Sequence, residues 1–429
     1  MNVLVVGGGG REHALCWKLA QSERLTRLVA APGNPGMARH AACVAVGVDD
    51  HDGLVRLAER ECADLVVIGP EVPLVAGLAD RLRERGFAVF GPDAAAAALE
   101  GSKAFAKDLM ARAGIPTARY AVFRDAAGAR AFCRELGPPV VVKADGLAAG
   151  KGAIVCATLA EADDAIARCM ERREFGAAGA TVVVEEFLRG EEVSFFAVSN
   201  GATCAALGAA QDHKTIFDAD RGPNTGGMGA FTPVAPVDAT MQARIMRTIV
   251  EPTFAAIARA GAPFRGVLFV GLMLTTEGPR VIEYNVRFGD PECQAIVSAL
   301  GGDLLPLLDA AARGAALPPA PASTRAAVCI VLTSAGYPAH YATGLPIEGI
   351  DEAERVPGVV VFHAGTAQRE GRLVTAGGRV FGVTATAADV PSAIDRAYVA
   401  AARIGFEGVH YRRDIGRRPR PPQLTEATR

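Results

Sequence analysis

The sequence predicts an α/β protein with an N-terminal doubly wound parallel sheet, a central α+β clamp and a small C-terminal α+β domain. Three observations carry this. Short apolar strands alternate with helical stretches up to about residue 100, the βαβ rhythm of a parallel sheet. Two strands then flank a glycine-rich loop between residues 140 and 155, which reads as a strand-loop-strand flap. Finally, Leu317-Pro318-Pro319-Ala320-Pro321-Ala322-Ser323 reads as a linker, followed by short strands and one helix. A length of 429 residues fits about three domains. The expected boundaries are 1–102, 103–325 with the flap at about 118–192, and 326–429.

Composition narrows the class. Half of the residues are hydrophobic and 21% are charged, which suits a globular core. The 48 glycines and 26 prolines follow no period, so they mark tight loops rather than a repeat. A net charge of −2 argues against general binding of nucleic acid or a membrane surface. Arg412-Arg413 and Arg417-Arg418-Pro419-Arg420 read as a solvated tail. The nine cysteines form no CxxC pair, and Cys156, Cys204 and Cys329 sit in apolar runs. Reduced, buried thiols in a cytoplasmic protein are the expectation. The N-terminus enters a strand directly, with no charged leader, and no apolar run reaches membrane-spanning length.

Val3 to Val6 reads as a buried strand, Gly7-Gly8-Gly9-Gly10 as a turn and Arg11 onward as a helix. Free N–H groups at a helix start suit a phosphate. The dinucleotide fingerprint fails, because Glu12 or His13 occupies the place of its third glycine. The next strand, Leu28 to Ala31, also ends without an acid. A phosphorylated sugar or a ligand-free turn fits this segment better than NAD. Leu65 to Ile68, closed by Gly69-Pro70-Glu71, and Ala88 to Phe90, closed by Gly91-Pro92, continue the sheet. Ligands bind such sheets at the strand carboxyl ends.

In the middle, Glu100-Gly101-Ser102-Lys103 opens a helix through Met110. The strand Val140 to Lys143 runs into Ala144-Asp145-Gly146-Leu147-Ala148-Ala149-Gly150-Lys151-Gly152, and Ala153 to Val155 resumes a strand. No Ser or Thr follows Lys151 and no helix follows the loop, so this is not a P-loop. A flap with a basic tip can close over a triphosphate. Lys103 and Lys143 are then either point charges on phosphates or solvated lysines. Thr181 to Leu188 reads as a strand entering Arg189-Gly190-Glu191-Glu192. Such a hinge offers backbone to a base and a carboxylate to a ribose, although an ordinary strand with a charged turn fits the same residues.

Asp212-His213-Lys214 is a polar triplet, and Pro223-Asn224-Thr225-Gly226-Gly227-Met228-Gly229 is too glycine-rich for the interior of an element. It is either a surface turn or a cradle for an anion. Val281 to Glu292 reads as a strand running into a turn, with Glu283, Asn285 and Arg287 on one face. Carboxylate and amide oxygens suit a hard cation such as Mg²⁺, and a fixed guanidinium suits a transferring phosphoryl group. A solvated polar strand edge is the alternative.

Taken together, these motifs resemble the ATP-grasp superfamily and, within it, the phosphoribosylamine–glycine ligase family of purine biosynthesis. The resemblance runs nearly the whole length. It rests on Gly8-Gly9-Gly10-Arg11-Glu12-His13-Ala14, Gly69-Pro70-Glu71, Leu99 to Lys103, Val142 to Gly152, Gln211 to Lys214, Gly222 to Gly229 and Arg287-Phe288-Gly289-Asp290-Pro291-Glu292. It implies that the central unit is an ATP-grasp clamp. The implied reaction joins glycine to 5-phosphoribosylamine through glycyl phosphate, giving glycinamide ribonucleotide, ADP and phosphate.

The resemblance also implies residue roles. Lys103 and Lys143 contact ATP phosphates; Glu185, Glu186 and Phe187 line the adenine pocket; Glu192 holds the ribose; Glu283 and Asn285 bind Mg²⁺ or Mn²⁺. Asp212, Lys214, Asn224, Thr225, Gly226, Gly227 and Arg287 face glycine and phosphoribosylamine, and Gly9, Gly10 and Arg11 take the sugar phosphate. Arg287 and Lys143 are the groups assigned to catalysis. The C-terminal domain is expected to close one side of the cleft and to supply few catalytic groups, in a monomer or weak oligomer. Rival readings are another ATP-grasp carboxylate–amine ligase or carboxylase, a nicotinamide oxidoreductase and a non-catalytic nucleotide sensor.

Overall fold

The structure is a computed structural model that describes residues 1–147 and 152–417. The expected flap tip, Ala148-Ala149-Gly150-Lys151, and Arg418, Pro419 and Arg420 of the tail lie outside the described residues.

The N-terminal sheet is parallel, in the order Ala42–Cys43, Arg27–Pro32, Asn2–Gly7, Leu65–Ile68, Ala88–Phe90. Val3 to Val6 and Leu65 to Ile68 are buried on both faces, which is why they read as unbroken apolar runs. The strand Ala42–Cys43 escaped the sequence reading because it is two exposed residues long. Helix Gly10–Leu19 follows the glycine turn, and helix His51–Arg60 is capped by Asp50, whose Oδ1 accepts from Gly53 N–H at 2.8 Å.

Two antiparallel lobes follow. The smaller is a four-stranded sheet in the order Tyr120–Phe123, Val182–Glu186, Val140–Ala144, Ala153–Cys156. Its core of Val140, Val142, Val182 and Val184 packs with Cys133 and Ile166 of helices Ala126–Leu136 and Leu159–Ile166. The larger is an eight-stranded sheet in the order Gly278–Asn285, Arg265–Thr275, Glu191–Asn200, Cys204–Asp212, Gly229–Thr232, Ala326–Thr333, Arg379–Ala387, Val359–His363. Gly229–Thr232 pairs with Ala326–Thr333, so the C-terminal strands extend the sheet of the central unit. Ala326–Thr333 is buried along its whole length, as the middle of such a sheet requires.

Three local expectations change. The helix expected from Glu100 breaks at Ser102, which ends Ala94–Gly101 and caps Lys103–Ala113 by accepting from Phe105 N–H at 3.1 Å. Arg221–Asn224 is a short exposed strand paired with Thr215–Phe217, so Pro223 and Asn224 lie in a strand where the glycine-rich segment was expected to be a surface turn or an anion cradle. The arginine tail is not uniformly solvated: Arg412 is fully buried, while Arg413 and Arg417 are exposed.

Helix Gly10–Leu19 meets strand Val359–His363 through two buried imidazoles. His13 Nδ1 accepts from His363 N–H at 2.8 Å, and Asn34 Nδ2 donates to both His363 O and Gly8 O at 2.9 Å. Burial, reinforced by His363, His40 and Arg39, holds His13 well below its usual pKa. Burial, with Arg39, brings His363 down to about 4. Both rings fold neutral, with pKa values below the ordinary 6.5 or so of an unfolded histidine. Their contribution is therefore present above about pH 6.5 and is lost as pH falls toward 4. Thermal melts should show Tm dropping through this window, and a flat profile would refute the neutral-pair account.

Candidate active site

The site is built on strand Gly278–Asn285. Gly271 pairs with Glu283 but Leu272 pairs with Val281, so Ile282 is a bulge. The bulge carbonyl accepts from Lys143 Nζ at 2.9 Å. Beyond it Tyr284, Val286 and Phe288 are buried, and Glu283, Asn285 and Arg287 take the other face, as the alternation predicted. Arg287 Nη2 donates to Asn285 Oδ1 at 3.2 Å and to Glu100 Oε1 at 2.9 Å, and its Nε donates to Glu71 Oε2 at 3.1 Å. Glu100 Oε2 also accepts from Val286 N–H at 2.8 Å. The guanidinium is thus fixed between two carboxylates supplied by the N-terminal third.

Across the cleft, Glu185 joins two lysines: Lys107 Nζ lies 2.9 Å from Oε2 and Lys143 Nζ 2.9 Å from Oε1. All three side chains are buried. Burial lowers Lys107 to about 8, with Glu185 opposing. Lys107 also donates to Thr117 Oγ1 at 2.8 Å, and that hydroxyl donates to Val281 O at 2.7 Å. The sequence reading missed Lys107. The only signal was its position one turn after Lys103 on the same helix. Lys103 Nζ donates to Gly146 O at 2.9 Å, at the root of the flap.

The residues expected around a base are only partly free for one. The Glu185 carboxylate serves the lysines, and its backbone pairs with Tyr120 and Val141 inside the sheet. Glu186 N–H donates to Arg119 O at 2.9 Å, and its side chain accepts from Arg119 N–H and Arg280. Phe187 is half-buried just past the strand, 5.8 Å from the Arg189 guanidinium. Glu192 belongs to a different group. Lys214 Nζ lies 3.0 Å from Glu192 Oε1 and 3.4 Å from Asp212 Oδ2.

Charge binds these groups to the metal candidates. Burial works against the Lys214 ammonium, but Asp212, Glu192, Glu283 and Glu292 outweigh it and hold its pKa well above the usual value. Burial would raise Glu283, yet Lys214, Lys143, Lys103 and Arg287 bring it below the ordinary carboxylate range. Glu192 is raised by burial despite Lys214. Glu292, missed as a site residue, is raised to about 7 by burial and Asp212, with Lys214 opposing, and its Oε1 accepts from Ser194 Oγ at 3.3 Å.

Among the described residues no three His, Cys, Asp or Glu side chains form a complete metal cage. Two oxygen donors beside crowded carboxylates nonetheless fit Mg²⁺ or Mn²⁺. Mg²⁺ takes one or two carboxylates and completes its shell with water and phosphate.

The loop after the polar triplet is tied at its base. Thr225 N–H and Oγ1 both donate to Lys214 O at 2.7 Å, and Gly227 N–H donates to Thr225 Oγ1 at 2.9 Å. Gly227 has φ 113°, and a Cβ there would lie 2.5 Å from Pro291 Cδ, so only glycine fits. Asn224 is exposed. The C-terminal part contributes directly here: Arg379 Nη1 donates to Gly226 O and Asp290 O at 2.6 Å, and Tyr337 OH accepts from Gly226 N–H at 3.0 Å. Neither residue was given a site role from the sequence.

At the glycine turn, Gly9 N–H donates to Glu12 Oε2 at 2.7 Å and Arg11 N–H to Asp290 Oδ2 at 3.2 Å. The Arg11 guanidinium contacts Glu12 Oε1 at 2.6 Å and Phe288 O at 3.0 Å. A Cβ on Gly10 would meet Gln294 Nε2 at 2.6 Å. Donors expected to face a sugar phosphate are thus engaged by the protein's own carboxylates.

A parallel α/β sheet behind two antiparallel lobes, with lysines from one lobe facing an acid–amide–guanidinium row on the other, defines an ATP-grasp architecture. The biotin carboxylase domain of 2-oxoglutarate carboxylase from Hydrogenobacter thermophilus shares the fold, with a TM-score of 0.73 at 19% identity over 95% of this chain and 91% of that one. Residues 1–100, 101–293 and 327–418 match the N, ATP-grasp (A) and C domains of phosphoribosylglycinamide synthetase. A phosphoribosylamine–glycine ligase from Brucella melitensis is 53% identical over 418 residues, 97% of each chain. The crystal structure of that ligase from Thermotoga maritima superposes with a TM-score of 0.85 at 34% identity, over 97% of this chain and 100% of that one. The chain belongs to the phosphoribosylglycinamide synthetase family.

Two stability outcomes follow from the buried charges. Lys107→Met leaves Glu185 with one partner and should cost about 3 kcal/mol in denaturant unfolding; an unchanged midpoint would show that the second lysine is dispensable. Glu292 folds with a pKa near 7, above the ordinary 4.3 or so of an unfolded glutamate. The parent therefore loses stability as pH rises between these values. Glu292→Gln should gain on the parent over that interval and level off above it, as read by urea midpoints at several pH values.

Proposed function

We propose that this protein ligates glycine to 5-phosphoribosylamine at the expense of ATP. The observation that carries the reading is the row Glu283–Asn285–Arg287 facing Lys143 across the two lobes, in a chain of this family. The glycine carboxylate attacks the γ-phosphorus of ATP, ADP leaves, and a glycyl phosphate forms. The amine of phosphoribosylamine then attacks the carbonyl carbon, the C–O bond to phosphate breaks, and the amine gives up a proton as the amide forms. ATP is needed because a carboxylate oxygen is a poor leaving group until it is phosphorylated.

The chain's own part is to hold and to neutralise. Lys103 and Lys143 face the phosphates, with Lys143 aimed by Glu185 and the Ile282 carbonyl. Glu185, Glu186 and Phe187 border the purine, and Glu192 takes the ribose side. Glu283 and Asn285 would hold Mg²⁺ or Mn²⁺, which supplies positive charge at the phosphate oxygens when bound. Arg287, locked by Glu71 and Glu100, presents a guanidinium that need not reorganise as charge develops. Asp212, Lys214 and the Asn224 to Gly227 loop are assigned to glycine and the amine, and Gly9, Gly10 and Arg11 border the sugar phosphate. The three matched segments are read as the domains of this enzyme. A cytoplasmic location and a monomer or weak oligomer complete the proposal.

ADP release with glycine plus phosphoribosylamine, compared with bicarbonate and other acid–amine pairs, tests the reading directly. Turnover only with bicarbonate would overturn it. Glu283→Ala should lower ADP release by about 10²–10³-fold or more, and near-normal turnover would refute its assignment. Lys143→Ala should act mainly through ATP, raising its KM.

A further inference from the structure

The hairpin Thr215–Phe217 and Arg221–Asn224 interrupts the path from Lys214 to Thr225. Its base is closed by Thr225 on Lys214 O and by Met228 N–H donating to His213 O at 2.7 Å. Its tip carries Ala219 and Asp220 at φ 58° and 53°, a left-handed pair that non-glycine residues hold only when their surroundings impose it.

The surroundings here are the C-terminal segment. Arg412, fully buried, donates from Nη1 to Thr215 Oγ1 at 2.9 Å, to Thr215 O at 3.2 Å and to Asp220 Oδ1 at 3.0 Å. Its Nε and Nη2 fork onto both oxygens of Asp414 at 2.8 and 2.7 Å. Asp414 Oδ2 in turn accepts from Ala219 N–H at 2.9 Å, and Asp218 Oδ1 accepts from Arg413 N–H at 2.8 Å. The segment is itself anchored: His410 exchanges backbone hydrogen bonds with Thr333, and Tyr398 OH donates to Arg412 O at 3.0 Å and accepts from Ile415 N–H at 2.9 Å. An open hollow beside this clasp is lined by Phe217, Arg221, His410, Tyr411 and Arg413, and the Phe217 and His410 rings meet edge to face at 5.6 Å. Ile216 is buried in the same apolar core as Phe406 and Ile415, and its carbonyl lies 2.9 Å from His410 Nε2, so packing holds the first strand while the polar clasp holds the tip.

We propose that Arg412 is a positioning residue for the glycine and phosphoribosylamine side of the cleft. It fixes the residue next to Lys214, and through the hairpin it sets where Lys214 and the Thr225 to Gly227 loop stand. Lys cannot replace it, because only a guanidinium forks onto Asp414 while reaching Thr215 and Asp220. This role rests on the substrate assignment above, and the test separates the two.

Arg412→Lys and Asp220→Asn are compared with the parent enzyme; Asp220 is half-exposed, so its variant removes one strut without orphaning a buried charge. KM for glycine and for phosphoribosylamine should rise about tenfold in Arg412→Lys and less in Asp220→Asn, with a much smaller rise in KM for ATP, because Lys214 also pairs with Glu192. Hydrogen exchange of amides 213–228 should speed up in both variants, whether or not the enzyme turns over. A fall in kcat alone, a parallel rise in KM for ATP, or unchanged exchange at 213–228 would overturn the proposal. A parent enzyme that releases no ADP with glycine and phosphoribosylamine would instead overturn the substrate assignment, leaving the exchange result to decide the clasp.

Discussion

The structure turns on one buried ammonium. Lys143 Nζ sits 2.9 Å from the Glu185 carboxylate of its own lobe and 2.9 Å from the Ile282 carbonyl of the other. That carbonyl is available because Ile282 is a bulge. A bulge shifts the alternation by one residue, so it also decides that Glu283, Asn285 and Arg287 face the cleft and not the core. The same irregularity therefore ties the lobes together and aims the Glu283–Asn285–Arg287 row. A regular strand at this place would do neither.

Buried charges of this kind are tolerable only in company. Glu185 is shared by Lys143 and Lys107; Lys214 is surrounded by Asp212, Glu192, Glu283 and Glu292; Arg287 lies between Glu71 and Glu100. The two ends of the cleft differ in balance. Around Glu185 the lysines are in excess, which suits phosphate oxygens. Around Lys214 the carboxylates are in excess, and burial together with Asp212 raises Glu292 to about 7. The two groups thus differ in the sign of their net charge.

Much of this was legible because its signals are local. Strand alternation placed Glu283, Asn285 and Arg287 on one face, and the glycine turn at Gly7 to Gly10 announced a βα corner. What stayed hidden depends on distant partners. Nothing near Lys107 in the chain says that it meets Glu185, which lies far along the sequence. The glycine turn looked ready for an anion because its N–H groups could not be seen engaged by Glu12 and Asp290. Glu292 read as the end of a strand-to-turn run, and only burial beside Asp212 gives it an unusual proton affinity.

The C-terminal part shows the same limit at the scale of a domain. Its elements were readable, but as a separate unit, because strand pairing with Gly229–Thr232 is not written in either strand alone. That pairing places the loop before Gly229 against the C-terminal strands, within reach of Arg379 and Tyr337. It also explains why the arginine run near the chain end departs from a solvated tail. Once Thr333 pairs with His410, the segment must cross the hairpin, and a side chain with five donors is the one that can satisfy Thr215, Asp220 and Asp414 together. The loop before Gly229 is consequently walled by residues that lie far along the chain from strand Gly278–Asn285, and its shape depends on the C-terminal sheet as much as on the clamp.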